Sequence, residues 1–388
     1  MSKIGVLLIG GSGAIACSLA VGIDFFKRKI NVNQHLGMLT NDPPFDKLNL
    51  VSVKDIILAG WDFKPSTPYE TCVSNKIFHK HDNLKQIEKV KPIKIFEGIL
   101  TDSDFLLSEG IIKCKPVNYE KAISKLRKDI QTFKKENKIS DVVIVNISSP
   151  HKNISIQNWH HDIDKFNQKL KANDPNITSG MLYCLTGIYE SCPFIEFTPS
   201  STLEPEAIIQ LAEKSNVALA GRDGSTGQTL LKYVLSPMFK ARNLKIEAWY
   251  STNVLGNNDG KVLSNPNYAK SKMHDKSHGL KVNLGYEVEQ IIDIKYLSYK
   301  KDNKESWDLI EFVGWMGEEM SLRINWNGKD SVLASPLIFD LIRLVHHSQK
   351  DKKSGIQKQL GVFFKNPIQS KTRNFFDLHQ QLINHYKI

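Results

Sequence analysis

The chain is 388 residues long with 41% hydrophobic and 24% charged residues, which suits one large or two medium globular domains and excludes a disordered chain. Lys and Arg outnumber Asp and Glu by 52 to 41, a formal charge of +11. That favours an anionic partner, whether nucleic acid, acidic lipid or a phosphorylated metabolite. Five cysteines (Cys17, Cys72, Cys114, Cys184, Cys192) with no C-x-x-C pair exclude a regular disulfide framework and a cysteine-rich zinc module, and fit a reducing compartment.

Lys3 is followed by twenty uncharged residues, Ile4 to Ile23, the length of a membrane span. Gly10, Gly11 and Gly13, however, cluster between an apolar run, Ile4 to Ile9, and a helix-like run, Ala14 to Lys29. The order is strand, glycine turn, helix, and a buried parallel strand is equally apolar. No other stretch approaches this length, so the expectation is a soluble, cytoplasmic protein with no membrane partner. Asp55 to Asp62 reads as a second strand, and residues 64–118 carry little signal. Tyr119 to Lys138 has helical spacing, with Ala122, Leu126, Ile130 and Phe133 on one side, and runs into the strand pattern Asp141 to Ile147. Then follow a helix (Ser179 to Glu190), a strand (Pro193 to Phe197), a helix (Glu204 to Asn216), a strand (Val217 to Gly221), a helix (Thr226 to Asn243) and a strand (Lys245 to Tyr250). Such alternation predicts an α/β fold, a Rossmann-like doubly wound parallel sheet. After residue 251 a polar loop precedes β-like segments at Val288 to Tyr299 and Trp307 to Trp326, read as paired strands of a separate sheet. Helical periodicity returns at Ser331 to His347. The expected division is 1–250 with 331–388, interrupted by a sheet-rich unit at 251–330.

Gly11-Ser12-Gly13-Ala14-Ile15-Ala16 is G-x-G-x-x-A between strand and helix. Glycine lets the backbone approach a pyrophosphate, and the helix N-terminus supplies amide donors. A tight turn that binds nothing is the alternative. Asp42 lies at a plausible distance for an acidic ribose ligand, although no strand clearly ends on it. Gly221 to Thr229 gathers Asp223, Ser225, Thr226 and Gln228 where ligands collect in doubly wound folds, and Ser225 or Thr226 could equally cap a helix. Ser251 to Gly260 sets Asn253, Asn257, Asn258 and Asp259 after a strand end. Lys272 and Lys276 share a helix face, either solvated or holding an anion. Lys295 lies in an apolar strand on the face of Asp293, where it is paired, snorkelling or catalytic. The histidine pairs lack third and fourth ligands at diagnostic spacing, so no metal centre is expected. The basic residues are scattered without an aromatic-basic motif, so no nucleic-acid partner is expected either.

The block Ser251-Thr252-Asn253-Val254-Leu255-Gly256-Asn257-Asn258-Asp259-Gly260, followed by Ser264-Asn265-Pro266, Ser271-Lys272 and Lys276-Ser277, resembles the myo-inositol-1-phosphate synthase family. Gly60-Trp61-Asp62, Pro193-Phe194-Ile195, Ile294-Lys295-Tyr296, Asp330-Ser331 and Phe363-Phe364-Lys365-Asn366-Pro367 extend the match through most of the chain. The resemblance implies an NAD-binding Rossmann-like domain interrupted by a catalytic and oligomerisation region, and a homotetramer acting on a sugar phosphate. By the same resemblance, NAD takes hydride from C5 of glucose 6-phosphate, an adjacent proton is removed, the enolate closes on the C1 aldehyde and the ring ketone is reduced to give an inositol phosphate. Lys272, Lys276, Lys295 and Lys365 correspond to family lysines for proton transfer, oxyanion stabilisation and phosphate binding, with Asp259 and Asp330 beside the nicotinamide. Gly11, Ser12, Gly13, Ala14, Ile15, Asp62, Ser148, Asp223, Thr226, Asn257 and Asn258 would be NAD-side contacts. Departures fall at Asn146 to Pro150, Glu196 to Ser201, Arg222, Ser225 and Val254, so the sugar phosphate or its cofactor contacts could differ. A paralogue working as a cyclase or dehydrogenase on another sugar phosphate, and a non-catalytic NAD-binding protein, are the competing readings.

Overall fold

The computed structural model describes residues 3–30, 36–78, 81–104, 117–151, 154–257, 260 and 279–386. Its regular elements are β1 (Ile4–Ile9), α1 (Ala14–Arg28), β2 (Ile56–Asp62), α2 (Pro68–Asn75), α3 (His81–Ile87), β3 (Lys94–Glu97), α4 (Tyr119–Asn137), β4 (Val142–Asn146), α5 (Ile163–Lys171), α6 (Ser179–Tyr189), β5 (Phe194–Glu196), α7 (Glu206–Lys214), β6 (Ala218–Gly221), α8 (Gln228–Ala241), β7 (Lys245–Leu255), β8 (Glu289–Tyr296), β9 (Asn303–Val313), β10 (Glu319–Lys329), α9 (Asp330–Lys350), β11 (Gly355–Ile356) and α10 (Phe375–Tyr386).

Seven strands form one sheet in the order β11-β6-β5-β4-β1-β2-β3, all pairs parallel. Every residue of β1 is buried, because both faces of the sheet are covered. Leu7 and Ile9 join a core with Ile144, Leu126 and Phe133 on one side, while Ile4, Val6 and Leu8 join Val143, Val145, Ile338 and Leu341 on the other. The unbroken apolar run is therefore two alternating faces, each packed under helices. Among the described residues no helix is long and apolar enough to cross a membrane.

The second sheet is mixed, in the order β10-β9-β7-β8. β9 and β10 form an antiparallel hairpin, β7 pairs antiparallel with β9, and β7 runs parallel to β8. Two expectations are corrected here. The strand expected at Lys245 to Tyr250 belongs to this second sheet, and it continues through Ser251-Thr252-Asn253-Val254-Leu255, which had read as a polar loop. Its polar residues are tolerated because they are buried with partners: Ser251 Oγ donates to Asp308 Oδ1 at 2.8 Å, and Asn253 donates to the Gln228 side-chain oxygen. The weak stretch 64–118 contains α2, α3 and β3.

Candidate active site

The β1–α1 turn is wedged between two neighbouring strand ends. Gly10 has φ +88°, and a Cβ there would come within 3.0 Å of Ser148 Cα. A Cβ on Gly11 would meet Gly60 Cα at 3.0 Å. Only glycine fits both contacts. Beyond the turn, α1 starts at Gly13 with no side-chain cap and no acidic residue in its first turn, which leaves its N-terminal amides available to an anion.

Asp62, at the C-terminal end of β2, accepts from Ser12 N at 3.0 Å and from Phe63 N at 2.7 Å. A carboxylate at this strand end, beside the glycine turn, stands where ribose hydroxyls are recognised in dinucleotide folds. Asp42 does not take that place: it follows a short 3₁₀ turn, Leu39–Asn41, rather than a strand. The close glycine approach, the uncapped helix and Asp62 together fit NAD, and Gly11, Ser12, Gly13, Ala14 and Ile15 are the residues that could hold its pyrophosphate. Ser148 lies against Gly10 and donates to Asn146 Oδ1 at 2.7 Å.

A second cluster forms where the β6–α8 turn meets the C-terminal segment and the second sheet. Lys365, nearly buried, places its ammonium 2.6 Å from Asp223 Oδ1. Asp223 sits at φ 61°, and its N–H donates to Thr198 O. Gly224 allows this turn to close, since a Cβ there would strike the Phe197 ring at 2.1 Å. Thr226 is buried beside Gly227, the uncapped start of α8. Next along the helix, Gln228 Nε2 donates to Asp308 Oδ2 at 3.0 Å. Asp308 also accepts from Trp249 Nε1 and Ser251 Oγ, each at 2.8 Å, so the second sheet fixes the start of α8.

Asn257 and Asp330 meet at 3.1 Å, Nδ2 to Oδ2, and Lys304 Nζ reaches Asp330 Oδ1 at 3.1 Å. The Lys304 Nζ also lies 3.8 Å from where a Cβ on Gly227 would be. The structure thus brings Asp223, Thr226, Asn257, Asp330 and Lys365 to the joined edges of the two sheets. Lys295 is placed differently. Its side chain is 66% exposed and pairs with Asp293 at 3.1 Å, on an edge strand in register with Val254. Lys272, Lys276, Asn258 and Asp259 lie outside the described residues.

Several charged groups here were missed in the sequence. Lys304 stands next to Asp330 because β9 pairs with β10, placing Lys304 opposite Gly328, two residues before Asp330. Lys232, one turn below Gln228, is 1% exposed, has no hydrogen-bond partner at Nζ among the described residues and lies 5.4 Å from the Trp249 ring centroid. Burial pulls its ammonium down to about 8, against the opposing pull of Asp308. Asp302 accepts from Ser331 Oγ at 2.7 Å beneath the start of α9, and burial pushes its carboxyl up to about 7. No sequence signal marks these residues, because their surroundings come from contacts between segments separated in the chain, as for Asp302 with Asn75 and Ser331.

A doubly wound sheet with a dinucleotide cradle, joined to a second sheet by a lysine- and carboxylate-lined junction, defines an NAD-dependent class of protein. The sequence matches the NAD-binding family described as myo-inositol-1-phosphate synthase over residues 4–386, and the chain belongs to that family. It is 30% identical to inositol-3-phosphate synthase 1 of Bacteroides thetaiotaomicron, over 94% of this chain and 90% of that protein. The fold resembles inositol-3-phosphate synthase of Caenorhabditis elegans, with a TM-score of 0.88 and 23% identity over 98% of this chain and 84% of that one. It also resembles a myo-inositol-1-phosphate synthase-related protein of Thermotoga maritima, with a TM-score of 0.81 and 20% identity over 100% and 99%.

Proposed function

We propose that this chain is an inositol-phosphate synthase, an isomerase that converts glucose 6-phosphate to a myo-inositol phosphate through oxidation, intramolecular aldol closure and reduction. The observation that carries the reading is the Lys365–Asp223 pair beside the uncapped start of α8, within a chain of this family. When bound, NAD supplies a reversible hydride acceptor, held by the glycine turn and Asp62. The substrate phosphate is assigned to the α8 N-terminus, where the amides after Gly227 and the hydroxyls of Ser225 and Thr229, unpartnered among the described residues, accompany the Lys304 cation. Lys365, oriented by Asp223, stabilises developing negative charge on a substrate oxygen. Asp330, held by Asn257 and Lys304, orients the nicotinamide side. Lys272, Lys276 and Lys295 complete the proton-transfer and oxyanion set, and Asp259 and Asn258 the cofactor side, as the family pattern implies.

The division of labour between the sheets belongs to the same proposal, with the second sheet serving catalysis and tetramer assembly. Its support is the outer face of the second sheet, on which Tyr250, Ile291 and Trp307 are 37%, 54% and 47% exposed among charged residues that include Glu289, Asp293 and Arg323. The four described cysteines are free, which fits a reducing cytoplasm. Phosphorus NMR of the protein with glucose 6-phosphate and NAD, with NADH absorbance followed in parallel, tests the function. An inositol-phosphate signal without NADH accumulation is expected. Net NADH accumulation, or no conversion by protein that binds NAD, would reject it.

A further inference from the structure

Glu196 ends β5 and is completely buried, in register with Asn146 at the end of β4. Its Oε2 accepts from Asn146 Nδ2 at 2.9 Å, and its Oε1 accepts from Thr198 N at 2.9 Å and Thr198 Oγ1 at 2.6 Å. Asn146 Oδ1 in turn accepts from Ser148 Oγ at 2.7 Å and from Ser148 N at 3.2 Å. Ser148 lies against Gly10 in the glycine turn. A continuous hydrogen-bonded chain thus runs from a buried carboxyl to the wall of the dinucleotide cradle.

We propose that Glu196 is a positioning residue for the cofactor: acting through Asn146, its carboxyl fixes whether Ser148 meets the dinucleotide as acceptor or donor. The inference rests on the assignment of NAD to this cradle. As a carboxylate, Glu196 can only accept. It therefore draws the Asn146 amide inward, turns the Asn146 oxygen to Ser148, and takes up the Ser148 proton in that bond. The hydroxyl then offers lone pairs to a ribose hydroxyl. As a neutral acid, Glu196 can donate to the Asn146 oxygen if the amide turns over; Ser148 Oγ then accepts from Nδ2, and the Ser148 N–H gives up its bond to Oδ1. The face shown to the cofactor is then a donor. No atom leaves the chain; the polarity of the side-chain hydrogen bonds reverses, and the Ser148 backbone bond to Asn146 is lost.

The surroundings let this switch operate near neutrality. Burial pushes the Glu196 carboxyl up to about 7, and the bonds from Thr198 and Asn146 restrain the rise. From β6 the neighbour is Gly221, which carries no charge. From α6 the titratable neighbour is Cys184, a thiol that burial keeps neutral. Along the turn beyond Thr198, Arg222 is paired with Glu204 at 2.5 Å and Asp223 with Lys365.

Calorimetric titration with NAD between about pH 6 and 8 tests the inference. One hydrogen bond gained or lost corresponds to about five-fold in affinity, tighter at the alkaline end. Glu196→Gln and Ser148→Ala should each flatten that dependence. Asp62→Ser should weaken NAD at every pH and keep the slope. A flat wild-type profile, or a Glu196→Gln profile that follows the wild type, overturns the inference. If Glu196→Gln does not fold, the wild-type and Ser148→Ala profiles decide. Absence of NAD binding at every pH would instead overturn the cofactor assignment beneath it.

Discussion

Lys365 and Asp223 are joined twice, by the ammonium at 2.6 Å from Oδ1 and by Lys365 N donating to the Asp223 carbonyl oxygen at 2.7 Å. The backbone bond fixes where the side-chain pair lies, and both residues are less than 10% exposed. Removing one partner takes a close counter-charge away from a buried group. Lys365→Met is therefore expected to cost about 3 kcal/mol in urea unfolding and to abolish turnover in the phosphorus NMR assay. Adding Asp223→Asn should recover part of the stability and none of the activity.

Asp62 connects the end of β2 to the glycine turn through Ser12 N. A carboxylate there accepts from ribose hydroxyls and repels a 2′-phosphate. Asp62→Ser is expected to weaken NAD binding about ten-fold and to narrow the preference for NAD over NADP, both read by calorimetry.

Asp302 gives a pH dependence of stability with a defined sign. Burial raises its folded-state pKa to about 7 from an ordinary 3.8, so between those values the native state keeps a proton that the unfolded state has lost. The stabilisation is complete below the lower value and is lost as pH rises through the upper one. The stability of the wild type relative to Asp302→Asn should therefore fall between about pH 5 and 8. Urea unfolding at both ends of that range measures the difference, and a constant difference would refute the assignment.

Lys232 carries a buried ammonium without a hydrogen bond among the described residues. Its attraction to the Trp249 face and to Asp308 offsets only part of the desolvation, as its depressed pKa shows. Lys232→Met fills similar volume without a charge, and should raise stability by about 1 kcal/mol near neutral pH. A loss of stability in urea unfolding would show that the cation is better compensated than its contacts indicate.

The legible parts of the chain were those whose signal is local. The opening strand, turn and helix follow from six apolar residues and the glycines after them, and β1 matches the expected Ile4 to Ile9. Ser251 to Leu255 misled because Asn253 and the amide- and glycine-rich residues that follow Leu255 are poor strand markers. The strand conformation of Ser251 to Leu255 depends on Asp308 and Gln228, contributed by β9 and α8. Asp62 could be read from its family motif, but its place as the acid beside the turn required the pairing of β1 with β2. Lys304, Lys232 and Glu196 owe their surroundings to contacts between distant segments, which no window of sequence displays.

The last strand of the first sheet, β11, pairs with β6 although the whole second sheet lies between them in the chain. Synthesis therefore delivers this edge late: the ribosome must complete β7 to β10 and α9 before β6 can receive its neighbour. The junction around Asp223 and Lys365, separated by 142 positions, closes in the same late step. Loop-closure entropy makes such distant pairing slow. A nascent chain released before this point would carry its dinucleotide cradle without Lys365, and would expose the flank of β6 to other strands.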